Sequence, residues 1–295
     1  MWRLFVTAAI CAATIAPAAT ASELVDRNAS GVRLAVNGRG EALITYAAHG
    51  RLKHVLAWGA INALSPSLAR PQVSFRFDYA GGFGKYHRAY WKSFGNRCGA
   101  YTGQPIAWLV AACTAPDGTT WALQAWQRSL PDYGVFAPGP RSAWDLRLSH
   151  WTGLQAALTV KTDWTYRRFD HLYGSLTYRG KPVYGFRTTG LGNPLDGYGR
   201  LIYVDTFGSR YGAGWRRENS FVPHRPSGIF CYGFFPHGSH PTGKGARYRA
   251  TAIGPGVTPD IMWQGAAPGP YDRAADEHAN AEQRASYSDR LCRPN

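Results

Sequence analysis

The sequence predicts an all-β fold, mainly antiparallel and of the β-sandwich or jelly-roll type, closed by one C-terminal α-helix. Three observations carry this. Short runs that alternate apolar and polar residues recur along the chain, separated by turn residues about every 8–12 positions. Gly and Pro number 34 and 19 and concentrate in those separators. Helical periodicity is nearly absent before residue 270. No segment repeats at a fixed period, which argues against a propeller or solenoid.

The first 21 residues read as a secretory signal. Arg3 precedes an apolar stretch from Leu4 to Ile15, Pro17 breaks it, and Ala19-Thr20-Ala21 supplies a small-x-small cleavage site. The stretch is far short of the roughly 20 residues that a membrane-crossing helix needs. Residues 22–30 read as a short polar leader, 31–269 as a single β-rich domain, and 270–295 as a C-terminal helix and tail. Two packed β subdomains meeting near 139–143 are the alternative division.

The strands are expected in order. "VRLAV" (32–36), "EALITYAA" (41–48) and "RLKHVLAWGAI" (51–61) form a meander, with Asn37-Gly38 as a hairpin turn of positive φ. "VSFRFDYA" (73–80) places Val73, Phe75, Phe77 and Tyr79 on one face. Residues 81–103 lack periodicity and read as a long aromatic loop. "PIAWLVAAC" (105–113) and "TTWALQAWQ" (119–127) make a hairpin. Further strands are expected at 143–151, 154–164, 171–180, 182–188, 200–207 and 246–253. The helix at 270–292 starts near Pro270 with Asp272 in its first turn, and its thin apolar face is Ala274, Ala281, Ala285 and Leu291.

Charge and cysteines bound the partners. The formal net charge is +15, carried by 27 Arg and 6 Lys, and loss of Arg3 with the leader leaves +14. Such a charge draws the chain toward anionic polymers or surfaces. An acidic polysaccharide or a cell-wall polymer fits best, and the protein is expected to be secreted or associated with the cell envelope. Basic residues spread along the chain instead of forming one stripe, which argues against nucleic acid. Outside the leader, Cys98, Cys113, Cys231 and Cys292 remain, an even number that points to two disulfides. Three pairings exist; Cys98–Cys113 and Cys231–Cys292 is favoured, since it joins near neighbours and ties down the tail.

One stretch invites two chemical readings that both fail. "GSHPTGKG" (238–245) approaches a phosphate loop, but Gly245 stands where the metal-binding hydroxyl belongs, and the following residues alternate like a strand. No nucleotide is expected. His224, His237 and His240 lie near Cys231, yet no carboxylate occurs between Asn219 and Asp260, so no metal and no cofactor are expected.

The candidate ligand site is the segment running from Tyr198 to Tyr232. Tyr211, Trp215, Arg216, Arg217, Glu218, Asn219 and His224 combine aromatic faces that stack on sugar rings with planar groups that bind hydroxyls or carboxylates. Binding without chemistry is the leading reading, and no catalytic residue is assigned. The alternative is a lyase or hydrolase of acidic glycans. A lyase would use Arg216, Arg217 and Asn219 on a uronate, with Tyr211 and His224 as base and acid. A hydrolase would need Asp205 and Glu218 close together. G-x-S-x-G and E-x-D-x-x-E are both absent. The same residues also admit a structural role, with Arg216 or Arg217 paired to Glu218 or Asp205 and Trp215 closing the core. A purely structural envelope protein is the third reading.

Overall fold

The computed structural model describes residues 22–65, 71–129, 142–165, 169–183, 202–209, 212–217, 220–221, 229–234 and 245–286. Within them the fold is all-β and antiparallel, with one long helix at the C-terminal end.

Two sheets face each other in the N-terminal half. One contains β2 (Ser30–Val36), β3 (Ala42–Ala48), β4 (Arg51–Trp58) and β5 (Arg76–Asp78) in that order. The other runs β1 (Glu23–Arg27), β9 (Ser142–Trp151), β8 (Thr120–Ser129), β7 (Leu109–Thr114), β6 (Gly99–Ala100). Period-two alternation turns Ala42, Ile44, Tyr46, Val55 and Ala57 of the first sheet toward Trp121, Leu123, Leu146 and Leu148 of the second, and these residues form one buried cluster. A fully buried side chain of this size contributes on the order of 2–3 kcal/mol. The disulfide Cys98–Cys113, with Cα atoms 5.6 Å apart, fastens the end of the 81–103 stretch to β7.

A second pair of sheets follows. One carries β10 (Ala157–Thr165), β11 (Phe169–Tyr178), β16 (Ile229–Phe234) and β15 (Ser220–Phe221), with β12 (Lys181–Pro182) beside β11. The other is β14 (Gly212–Arg217), β13 (Ile202–Ser209), β17 (Arg247–Ala252) and β18 (Ile261–Ala266). Their shared core holds Val160, Leu172, Leu176, Ile202, Val204, Tyr248, Ala250 and Ala252. Backbone approach is close enough in two places to demand glycine. A Cβ on Gly174 would lie 1.8 Å from the Thr159 carbonyl oxygen, and one on Gly245 would lie 2.5 Å from that of Phe207. Gly245 thus serves strand packing, and β17 follows it at once.

The two sandwiches meet on the outer face of the β1-β9-β8-β7-β6 sheet. Gln124 donates to the Asp260 carbonyl at 2.9 Å and accepts from the Asp260 amide at 2.8 Å. Trp126 Nε1 donates to Asp260 Oδ2 at 2.7 Å, and Arg147 Nε lies 3.4 Å from the same oxygen. Trp126 also joins Ile253, Trp108 and Tyr203 in a small apolar contact.

Several expectations need correction. The polar leader is strand: Glu23–Arg27 pairs with β9, and Ser22, Glu23 and Val25 are buried. The first hairpin does not use positive φ at Asn37 or Gly38. Asn37 Oδ1 instead accepts the amides of Arg39 (2.8 Å) and Glu41 (3.1 Å), and Gly40 takes the positive φ. The 73–80 strand shortens to β5 because Asp78 turns the chain, accepting the amides of Ala80 and Lys85 at 2.9 Å. Residues 81–103 contain a helical turn, α1 (Phe83–Tyr86), a 3-10 turn at Tyr90–Ser93 and β6. Strands β14, β16 and β18 arise where none was expected. The helix is α2 (Arg273–Ser286), which packs on β10; Asp272 caps it, accepting the Ala275 amide at 2.9 Å. Ala274 and Ala281 of its expected apolar face are exposed. Residues 183–188 of the expected strand lie largely outside the described residues. So does Cys292, and for Cys231 only the backbone of β16 is described.

Candidate ligand-binding site

Strand register builds the site. On β13 the residues Tyr203, Asp205 and Phe207 point away from the core, opposite Ile202, Val204 and Thr206. Asp205 pairs across with Arg217 on one side and Arg249 on the other; Phe207 pairs with Trp215 and Arg247. The face of this sheet turned away from its own core therefore carries three arginines between aromatic rings, and its Tyr203 and Arg249 reach Trp126 and Trp108 of the first sandwich.

Its geometry is tight. Arg217 Nε donates to Asp205 Oδ1 at 3.0 Å, and Arg249 Nη2 donates to Asp205 Oδ2 at 2.9 Å. All three side chains are almost fully buried. The Arg217 guanidinium lies 4.0 Å over the Tyr203 ring. Arg249 sits between Trp215 (4.5 Å) and Trp108 (5.5 Å), and Arg247 between Phe207 (4.7 Å) and Trp215 (5.6 Å). Phe207 meets Trp215 edge to face, with centroids 5.2 Å apart. Such cation–π contacts are worth about 0.5–2 kcal/mol each, most where water is excluded. Asp205 is the carboxylate of this face among the described residues, and Arg217 Nη2 is buried without a hydrogen-bond partner. Two buried guanidiniums share one negative charge, and Arg247, exposed, adds a third cation.

Of the residues singled out from sequence, Trp215 and Arg217 share this face. Arg216 pairs with Thr206 and points to the other face, its Nε lying back along the strand toward Gly212. Tyr211, Glu218, Asn219 and His224 lie outside the described residues, as do His237 and His240. The Arg217–Asp205 pair is one of the structural pairings the sequence allowed. Trp215, however, stands on the outer face and not in the core. Sequence reasoning missed Tyr203, Phe207, Arg247, Arg249 and Trp108 as members of the site. The alternation in "YVDTF" and "RYR" was visible; which strands would sit side by side was not.

A concavity of about 530 Å³ lies on the first sandwich, lined by Arg39, Glu41, Trp58, Lys85, Tyr86, Asp117 and His150 among others. Glu41 is buried and accepts hydrogen bonds from Lys85 Nζ (2.6 Å), Asn37 Nδ2 (2.7 Å) and the Tyr86 hydroxyl. Burial opposes its ionisation, but these donors outweigh it and hold the carboxyl below the usual range. It is a fixed anion that anchors α1, unsuited to donating a proton. The Lys85 ammonium lies 4.1 Å over the Trp58 ring, which covers one face of that indole. His150 is buried against Trp121, with rings 3.8 Å apart, and bonds the Ala60 carbonyl (2.5 Å) and the Thr119 hydroxyl (2.8 Å). Burial pushes its pKa down to about 4, so it is neutral at pH 7 and serves as a packed strut.

Among the described residues no group of three or more His, Cys, Asp or Glu gathers to hold a metal ion. No helix of the described chain is long and apolar enough to cross a membrane. Family models, curated proteins and solved structures were compared with the chain, and none of them matches it.

Proposed function

We propose that this is an exported protein that binds an anionic glycan, or a comparable acidic polymer of the cell envelope, along the arginine–aromatic face of the second sandwich. The observation that supports this reading most is the charge balance among the described residues there: Arg217, Arg249 and Arg247 interleave with Trp215, Phe207 and Tyr203 around the carboxylate of Asp205. The reachable part is Arg247 with the edges of Trp215 and Phe207. The buried arginines beneath hold the rings in place and add positive potential. A uronate or sulfate group would sit on Arg247 while its sugar ring packs on the aromatic edges. The net charge of the whole chain adds long-range attraction. Binding without turnover is the favoured role, because two arginines hold Asp205 and the Arg217 guanidinium covers the ring of Tyr203.

The test is binding to a polyuronate, a sulfated glycan and an uncharged glucan at several salt concentrations. Arg247→Ala should weaken polyanion binding about tenfold, as loss of one charge-assisted contact implies. Binding should also fall as salt rises. Equal binding of the uncharged glucan, or full binding by Arg247→Ala, ends this reading. Release of unsaturated sugars that absorb near-ultraviolet light would replace it with a lyase.

A further inference from the structure

The point where the leader read from the sequence ends is itself buried at the junction between the sandwiches. Ser22, the first residue after the Ala19-Thr20-Ala21 cleavage signal, is fully buried. Its hydroxyl donates to Asp260 Oδ1 and accepts from Arg147 Nε at 2.9 Å, and its carbonyl accepts from Arg147 Nη2. Pairing of β1 with β9 begins one residue later, at Glu23. Covalent geometry puts the Ser22 nitrogen within about 6 Å of the Asp260 carboxylate. Positive charge is scarce here. Asp260 is wholly enclosed and burial pushes its carboxyl up; Glu23, next in the chain, is pushed up to about 7 by burial. Arg147 is the cation that reaches both among the described residues.

We propose that removal of residues 1–21 completes this junction: the new α-ammonium of Ser22 becomes a buried ion-pair partner of Asp260. The inference rests on the export reading. Hydrolysis of the Ala21–Ser22 bond by a signal-type endopeptidase adds one water across C–N. The Ala21 carboxylate leaves with the leader, and the Ser22 amine takes up a proton. The cut comes before folding, while the bond is still accessible, and folding then encloses the charge. Docking of the two sandwiches is thereby tied to maturation, since an uncleaved or extended chain brings no ammonium to Asp260.

The test uses the chain secreted with its own leader, intact mass giving its first residue. It is compared with a chain retaining Ala21 and with Asp260→Asn. The chain starting at Ser22 should melt several degrees above the one retaining Ala21. Its α-amine should be acylated about tenfold more slowly than in Asp260→Asn, as a rise of one pKa unit or more implies. The Ala21 chain keeps Asp260 intact, so it tests the idea even if Asp260→Asn misfolds. A mature chain that starts at another residue overturns the pairing and leaves the export reading standing; a chain that retains its leader overturns both. A start at Ser22 with equal melting and equal acylation overturns the pairing alone.

Discussion

The molecule buries Arg and Asp in two places, and the two differ in how the charge is closed. At the junction, Asp260 receives Trp126, Ser22 and Arg147 on its carboxylate, while Gln124 clamps its backbone from both sides. That cluster is shut off by protein on every side and works as a joint. On the arginine–aromatic face, among the described residues, one carboxylate serves two guanidiniums, and the remaining positive charge meets ring faces and, at Arg247, solvent. The contrast teaches that one ion pair acts as glue when its surroundings complete it, and as a receptor when one sign is left over.

Breaking the second cluster should cost most. Asp205→Ala leaves Arg217 and Arg249 buried without their carboxylate, and should destabilise by about 3–5 kcal/mol in denaturant unfolding. A loss under about 1 kcal/mol would mean that ring stacking, not the ion pair, holds this face.

Next comes pH at Glu23, whose carboxylate accepts the Phe75 amide inside the first sandwich, on the side of β1 away from the junction. Glu23 titrates near 7 in the folded chain against 4.5 when free, so the native state binds the extra proton between those values. Its contribution is fully present below about pH 4.5 and is lost as pH rises through 7, a change on the order of 3 kcal/mol. Glu23→Gln should flatten that decline in melting temperature between pH 5 and 8. A chain beginning at Ser22 should show a smaller decline than one retaining Ala21, and an unchanged slope in Glu23→Gln would show that another group governs it.

A smaller effect separates packing from hydrogen bonding. Trp126→Phe keeps a ring against Trp108 and Tyr203 but removes the Nε1 donor from buried Asp260, which should cost about 1–3 kcal/mol. Chemical denaturation measures it, and a neutral outcome would place Asp260's support in Arg147 and Gln124. The smallest stability effect belongs to Arg247→Ala, within about 0.5 kcal/mol because the side chain is exposed. If thermal melts show a larger loss, Arg247 is a structural member of the stack.

Much of the fold was legible in particular residues. The alternation of "AWDLRLSHW" marked β9, and "ARYRATAI" marked β17. Proximity in sequence pointed to Cys98–Cys113. Asp272 signalled the start of α2. The errors have a common physical origin. Asp145, Arg147 and Ser149 are the polar positions of an alternating strand, yet all are buried, because the second sandwich covers that side of the sheet. The stretch 22–30 read as a polar leader because Ser22, Glu23 and Asp26 are polar; β9 offers a free edge, and pairing outweighs composition. Of the site, Trp215 and Arg217 were among the seven residues singled out from one segment, while Arg247 and Arg249 lay in a strand expected elsewhere in the chain.

Sequence alone therefore determined the class of fold, the faces of most strands, the near-neighbour disulfide and the excess of positive charge. These follow from local rules: period-two alternation, turn chemistry and composition. Tertiary structure alone decided which strands stand side by side, which polar faces are covered, and where charge is balanced. Those outcomes depend on contacts between residues far apart in the chain, such as Gln124 with Asp260 and Asp205 with Arg249. No local pattern encodes such a partner, because the energy of a buried charge is set by what folding brings beside it.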